Sequence, residues 1–339
     1  MKKLIAPCRS RPRQGGVAVI TALLLTTLAV TIVASLFWQQ QVQVRSIENQ
    51  RMQLQKQWIL RGALDWAQLI LRGSYLSSGD KVNLQQTWAV GLAETRLDSY
   101  VENGRSDSEA SDATITGTII DAQSLLNLTN LATNGVPAPL AILSFKKLLT
   151  ALSLEPKLAD AAVNAVKAGQ PPVPLPPVPG GPTLTPTSAR LKFTYIEDLL
   201  SVPGFTPEIV RKLRGYVIFL PEATVININT ASAEVLHAVF TDLPVAQAKT
   251  IILDRDKTPF QSFVDMQSRH SVKIDTPDSE GRGSGGRPAS PNVTSKYFLL
   301  DGKVKLNRAG LDVRALIKRS AESTSSLATT ETLWIRENQ

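Results

Sequence analysis

The chain has little of what reactive sites are built from. Its 339 residues include one cysteine and two histidines. Cys8 has no second cysteine to bridge and no thiolate neighbour to share a metal. A lipid-modified cysteine follows an apolar run, and Cys8 follows none. His237 falls among Leu236, Val239 and Phe240, a packing context, and His270 stands apart from it. There is no glycine-rich phosphate loop, no metal-ligand pairing and no nucleophile–base–acid set. These absences point away from an enzyme. Acid is missing as well: none precedes Glu48, and no charge of either sign lies between Arg13 and Arg45.

That uncharged stretch holds Val17 to Trp38, VAVITALLLTTLAVTIVASLFW. A helix rises about 1.5 Å per residue, so this run spans roughly the 30 Å of a bilayer core. Lipid offers the backbone no hydrogen-bond partner, which leaves the helix as the form for a single span. The leader before it carries Lys2, Lys3, Arg9, Arg11 and Arg13. The positive-inside rule keeps that leader in the cytoplasm and sends the C-terminus across. The leader also supplies five of the net charge of +8, so the sequence pI of about 9.6 overstates the basic character of the rest. Charge alone is a poor argument for nucleic acid here.

The leader meets the apolar run at Arg13-Gln14-Gly15-Gly16. Gln39-Gln40-Gln41-Val42-Gln43, after the run, is a poor signal-peptidase site. A short basic leader ending in glycine before a long apolar helix resembles the class III signal of type IV pilins and type II secretion pseudopilins. The resemblance implies cleavage between Gly16 and Val17 by a prepilin peptidase and methylation of the new terminus. In these families the fifth mature residue is usually Glu, and here it is Thr21. A buried carboxylate in lipid is costly unless paired. A subunit with none above it has no ammonium to receive, so the missing Glu fits a filament end. Among pseudopilins it is typical of the large minor pseudopilin K.

The helix is expected to run on to about Leu71. Met52, Lys56, Ile59, Ala63, Trp66 and Ile70 mark one face, and Leu60, Leu64, Ala67 and Leu71 an adjacent strip. Gly73-Ser74 and Ser77-Ser78-Gly79-Asp80 read as breakers. Ala93 to Val101 and Thr114 to Ile120 read as strands around the polar turn Asn103 to Asp112. The run from Asp121 to Leu131 resembles the Asp and Asn-Leu-Asn-Leu-like motif of pseudopilin K, with Thr129 interrupting it. These side chains are expected to fix local backbone rather than catalyse. Leu140 to Ser153 and Pro156 to Ala168 read as helices, followed by a proline-rich linker, 169–188. An acidic stretch with a Trp, frequent near there in the family, is absent.

Glu197 to Val210 has the outline of a helix-turn-helix, with Thr206 capping the second limb and Pro207 in its first turn. Val225 to Asp254 forms a second such unit. Both resemble helix-hairpin-helix units, and Asn227-Ile228-Asn229-Thr230-Ala231-Ser232 also appears in DNA-uptake receptors. A membrane-anchored DNA-binding or uptake protein is therefore the alternative. Phosphate-binding hairpins use Gly at both ends of the turn so that backbone amides reach the phosphate. The first turn has Gly204 but then Thr206; the second, Asp242-Leu243-Pro244-Val245, has none. Arg211, Lys212 and Arg214 read as a solvated face. The turns and the modest charge weigh against nucleic acid.

Asp275, Asp278 and Glu280 lie in a Gly/Ser/Pro-rich stretch and are calcium candidates, although their spacing matches no specific loop. Tyr297 to Leu300, Gly302 to Leu306, Val313 to Lys318 and Thr332 to Arg336 read as an antiparallel meander that completes the sheet begun at Ala93. The expected class is α+β: a pilin-like long N-terminal transmembrane helix on a small antiparallel sheet, with a large all-α insertion containing helix-hairpin-helix-like (SAM-like) units. The expected divisions are leader 1–16, helix 17–72, first part of the α/β domain 73–125, helical insertion 126–276 and second part 277–339. The resemblance implies a tip subunit of the type II secretion pseudopilus that initiates or caps assembly. It implies other minor pseudopilins (I and J type), the major pseudopilin, prepilin peptidase, secreted proteins and inner-membrane lipid as partners. The C-terminal part is expected in the periplasm.

Overall fold

The computed structural model describes residues 15–96, 113–170, 191–274, 291–306, 309–321 and 328–338. The leader to residue 14, most of the proline-rich linker, and Asp275, Asp278 and Glu280 lie outside the described residues. One helix, α1, is continuous over Gly15–Ser78. The chain divides into two units, Met1–Ile59 and Leu60–Gln339.

In the first unit, apolar side chains cover the surface of the helix. Val17 is 69% exposed, Phe37 67% and Trp38 73%. Among the described residues, α1 is the one helix long and apolar enough to cross a membrane. The threonines of the run do not interrupt its apolar surface. Thr21 Oγ1 donates to the carbonyls of Val17 at 3.0 Å and Ala18 at 3.1 Å. Thr26, Thr27 and Thr31 bond back in the same way. Each hydroxyl thus spends its proton on its own helix, the low-cost arrangement in an apolar medium.

In the second unit α1 continues past Gly73 and ends at Gly79, whose φ is +62°. The sequence reading stopped it too early. Buried Leu71 and Ser74 tie this last part to the sheet, and packing outweighs the cost of one glycine in a helix, about 1 kcal/mol. The buried strip is Leu60, Leu64, Ala67 and Leu71, while Trp66 remains 44% exposed. Of two adjacent apolar strips, the sheet took the one of slimmer side chains, which lets helix and sheet approach closely.

That sheet has five antiparallel strands in spatial order β1 (Leu92–Arg96), β2 (Ala113–Asp121), β3 (Tyr297–Leu306), β4 (Ala309–Ala321) and β5 (Ala328–Asn338). Strands alternate their side chains between faces. Phe298, Leu300, Val313, Ala315 and Ile317 point to one face, where they form a core with the α1 strip, Val82 and Trp88. Tyr297, Leu299 and Leu316 point to the other, against Ala122, Ile218 and Leu220. The meander is as expected, except that Asp301 does not split β3 and that β4 and β5 run longer than Val313–Lys318 and Thr332–Arg336.

Between β2 and β3 lies a helical insertion with its own large apolar core, built on Phe145, Leu148, Leu199, Leu213, Val235, Leu236, Ile251 and Phe260 among others. Its helices are α2 (Pro139–Ala151), α3 (Leu158–Ala168), α4 (Pro207–Leu213), α5 (Ala233–Val239), α6 (Val245–Lys257) and α7 (Phe263–His270). The first limb of the Glu197–Val210 hairpin is a six-residue 3-10 helix, Ile196–Ser201, rather than an α-helix. The Asp198 carboxylate starts it by accepting from the amides of Thr194 and Tyr195. Thr206 caps α4 through the Ile209 amide, with Pro207 at the first position. Gly204 has φ +93°, and a Cβ there would meet Leu158 Cδ2 at 3.0 Å. Its glycine is thus explained by the turn and by packing.

Candidate functional site at the seam of sheet and insertion

The chain leaves the sheet at Asp121 and returns to it at Ser295, and both ends of the insertion meet there. Asp121 ends β2 and starts a short 3-10 turn, its Oδ1 accepting from the Gln123 amide at 2.8 Å. Its Oδ2 accepts from Ser295 Oγ at 2.6 Å, Thr230 Oγ1 at 2.6 Å and Asn227 Nδ2 at 2.9 Å. Asn227 also donates to the Val82 carbonyl, while its Oδ1 accepts from the Asn229 amide. Asp121 is 2% exposed and Asn227 0%. Four segments far apart in sequence are thus tied by one carboxylate and one amide. Burial pushes the Asp121 carboxyl up, while the donors from Ser295, Thr230, Gln123 and Asn227 pull it down less strongly.

Arg319 extends this network to the other face of the sheet. It is 3% exposed and donates to the carbonyls of Leu71 in α1 and Ser295. Its guanidinium lies 4.9 Å from the Phe298 ring centroid and 5.5 Å from that of Tyr75. Burial lowers its pKa and nearby Asp121 raises it. A buried charge needs such partners, because an unpaired one costs several kcal/mol.

The Asx residues of the Asp121–Leu131 run act on backbone, locally at Gln123 and Thr129 as expected, but also on the distant 220–224 segment, which the sequence did not indicate. Asn127 Oδ1 accepts from the amides of Thr129 and Leu220, and Asn130 brackets Thr224 with both its amide atoms. Asn229 does the same for Phe260. These side chains replace a regular ladder where the chain is irregular and buried.

Further along the seam the packing opens into a shallow cleft lined by Tyr195, Glu197, Arg214, Arg314, Trp334 and Arg336 among others. Glu197 receives Arg214 Nη2 at 2.7 Å on one oxygen and Arg336 Nη1 at 2.5 Å on the other. Burial raises its carboxyl, but hydrogen bonds, Arg336 foremost among the side chains, outweigh that and hold it below 4.5. Arg314 forks onto Asp301 at 2.5 and 2.8 Å. On the opposite face, between α1 and the sheet, a small apolar crevice is walled by Leu60, Trp66, Trp88 and Leu300 among others.

The sequence candidates are not brought together. Gly16 and Val17 lie in the first turns of α1, and a Cβ on Gly16 would meet nothing within 4 Å. Thr21 lies one turn on. Among the described residues, no group of three or more His, Cys, Asp or Glu is placed to hold a metal. His237 Nδ1 lies 2.6 Å from the Leu243 carbonyl, and His270 Nε2 2.9 Å from Asp254 Oδ2. Arg211, Lys212 and Arg214 are exposed, although Arg214 has Glu197 as a partner. Sequence reasoning missed the partnerships of Asp121 with Ser295 and of Glu197 with Arg336. The one available signal was an arginine, Arg319, in step with Val313, Ala315 and Ile317 on the core-forming face of β4.

Two family models match the insertion, both described as "Type II secretion system (T2SS), protein K", over residues 124–222 and 226–279. The chain is 26% identical to the type II secretion system protein K of Pseudomonas aeruginosa over 309 residues, 87% of this chain and 86% of that one. It is 25% identical to the protein of the same name from Pectobacterium carotovorum, over 92% of this chain and 94% of that one. Its fold resembles a chain of the crystal structure of the GspK-GspI-GspJ complex of the enterotoxigenic Escherichia coli type 2 secretion system. The TM-score is 0.61 at 20% identity, covering 86% of this chain and 99% of that one.

Proposed function

We infer that this chain, which belongs to the type II secretion system protein K family, is a minor pseudopilin that sits at the tip of the pseudopilus and initiates or caps its assembly. The observation that carries the tip position is the helical insertion between β2 and β3, with an apolar core of its own. A shaft subunit must pack between copies above and below, and an insertion of that bulk has room only where one neighbour is missing. Thr21 supports the same reading. Its hydroxyl is satisfied within the helix, so the position neither offers a carboxylate to a neighbour's ammonium nor needs one.

The complex named for GspK, GspI and GspJ supports other minor pseudopilins as the partners of this chain. The exposed apolar surface of α1 from Val17 to Trp38 suits an inner-membrane anchor with the remainder in the periplasm. Cleavage between Gly16 and Val17 suits a site where glycine lets a peptidase reach the backbone. Calcium at Asp275, Asp278 and Glu280 belongs to the same reading. A calcium-dependent rise in melting temperature, lost on Asp278→Asn, is its expected sign; no rise in the parent protein removes it.

The test is where the chain sits and how it begins. Electron microscopy of pseudopili carrying a label on the insertion should place it at filament ends. Labels at regular intervals along the shaft would overturn the reading. Mass spectrometry of the protein from secreting cells should find Val17 at the N-terminus, and an intact Met1 on functional protein would remove the processing step. Thr21→Glu should leave secretion unchanged, since a tip subunit has no ammonium above it to meet.

A further inference from the structure

The insertion carries a chemically weak point that the secretion role does not use. The chain reverses at Asn134-Gly135, between the paired segments Ala132–Thr133 and Val136–Pro137. Both turn residues have positive φ, 51° and 77°, the hairpin turn that Asn-Gly fits best. Asn134 is exposed, so its side-chain amide meets water. Glycine follows it, with no side chain to crowd a five-membered ring closing between Asn134 Cγ and the Gly135 nitrogen. Such a closure is intramolecular and runs at high effective concentration. The turn does not leave that nitrogen free. The Gly135 N–H donates to Gln170 Oε1 at 3.1 Å, while Gln170 Nε2 donates to the carbonyls of Ala132 at 2.7 Å and Thr129 at 3.3 Å. Gln170 directly follows Gly169, the cap of α3. One side chain at the end of α3 thus closes over the turn.

We propose that Asn134 is a site of spontaneous deamidation and that Gln170 is the positioning residue that governs its rate. The step needs only water and hydroxide. The Gly135 nitrogen gives its proton to hydroxide and bonds to Asn134 Cγ. The Cγ–Nδ2 bond breaks, and the nitrogen leaves as ammonia with a proton from water, so that a succinimide remains. Water then adds to either ring carbonyl and opens it to aspartate or isoaspartate at position 134, with nothing oxidised or reduced. A hydrogen bond made by the neutral N–H opposes loss of its proton. The bond to Gln170 also keeps the turn closed. Reaction therefore waits for local opening, and its rate scales with the open fraction. The isoaspartate product adds a carbon to the main chain, which in a two-residue turn shifts Gly135 off Gln170.

The test is peptide mapping by mass spectrometry of the full chain in detergent, held at mildly alkaline pH, with isoaspartyl methyltransferase labelling to mark the isoaspartate product. Mapping separates residue 134 from Asn103-Gly104, the other Asn-Gly pair of the sequence. Residue 134 should gain the mass of an amide turned to an acid ahead of Asn130 and Asn164, which no glycine follows. Its conversion should be roughly tenfold or more slower than in the same chain denatured in guanidinium. Gln170→Ala should speed the folded chain roughly three- to tenfold and leave the denatured rate unchanged. Ser232→Ala weakens the same insertion at the cap of α5 and should not change the rate at 134. No conversion at 134 after weeks of incubation, or conversion as fast folded as denatured, would overturn the proposal. An unchanged folded rate in Gln170→Ala would overturn the role of Gln170, and so would an equal acceleration by Ser232→Ala, which a general loss of stability would produce. If Gln170→Ala does not fold, hydrogen exchange of the parent chain decides: the Gly135 amide should be protected, and unprotected exchange there removes the guard.

Discussion

The two faces of the sheet are closed in opposite ways. Against α1 the contact is mainly apolar: Leu64, Ala67 and Leu71 meet Phe298, Ala315 and Ile317, with Trp88 edge to face on Phe298 at 5.5 Å, and the polar ties are few, Arg319 to the Leu71 carbonyl and Gln68 to Thr332 and Thr330. Against the insertion only a few apolar residues meet, and much of the contact passes through Asp121, Asn227, Ser295 and the Glu197 arginines. Apolar burial is strong but undirected. It suits a helix that needs only to lie down on a sheet. Buried polar groups are costly to leave unpaired, so they accept one arrangement and penalise others. They suit a domain inserted at two chain crossings, which has to be held in one orientation.

Substitutions on each face should break this comparison in different ways. Trp88→Ala empties a large, fully buried site on the α1 face and should cost about 3–5 kcal/mol, read as a lower denaturation midpoint. Asn227→Ala removes one of the donors to buried Asp121 and the side-chain donor to the Val82 carbonyl, and should cost roughly 2–3 kcal/mol. A double-mutant cycle with Ser295→Ala should give a coupling of about 1 kcal/mol or more. Additive effects there would mean that the seam is not one network. Ser232→Ala removes the cap that receives the Val235 amide and should cost about 1 kcal/mol, confined to the insertion.

The smallest effect concerns acid. Glu197 is held below 4.5 in the folded chain, so its contribution is fully present above that value and fades as pH falls through the lower folded pKa. Glu197→Gln should flatten the acid limb of the stability profile while leaving the slope above pH 5 unchanged. An unchanged acid limb would show that its two arginines do not hold it when the chain is folded.

Much of this molecule could be read from order along the chain. The apolar run from Val17 to Trp38 and the β-branched strands act through neighbours a few positions away, whereas Asn127 and Asn130 also bond Leu220 and Thr224, more than ninety positions on. Choices between near-equals were harder to read. Two adjacent strips on α1 were both apolar, and the sheet chose Leu60–Leu71 over the one containing Trp66 because closeness of approach decides. The 3-10 geometry of Ile196–Ser201 was equally hidden, since helical residues fit either winding until the Asp198 cap and the packing select one.

By itself the sequence determined a strongly apolar N-terminal helix, the paucity of reactive groups, and an antiparallel sheet split around an insertion. These follow from periodicity and from transfer free energies that belong to single residues. Only the tertiary structure decided that Asp121 meets Ser295 and that Glu197 meets Arg336, 139 positions away. No local pattern encodes such pairs, because a hydrogen bond depends on where two chain segments finish and not on how far apart they began.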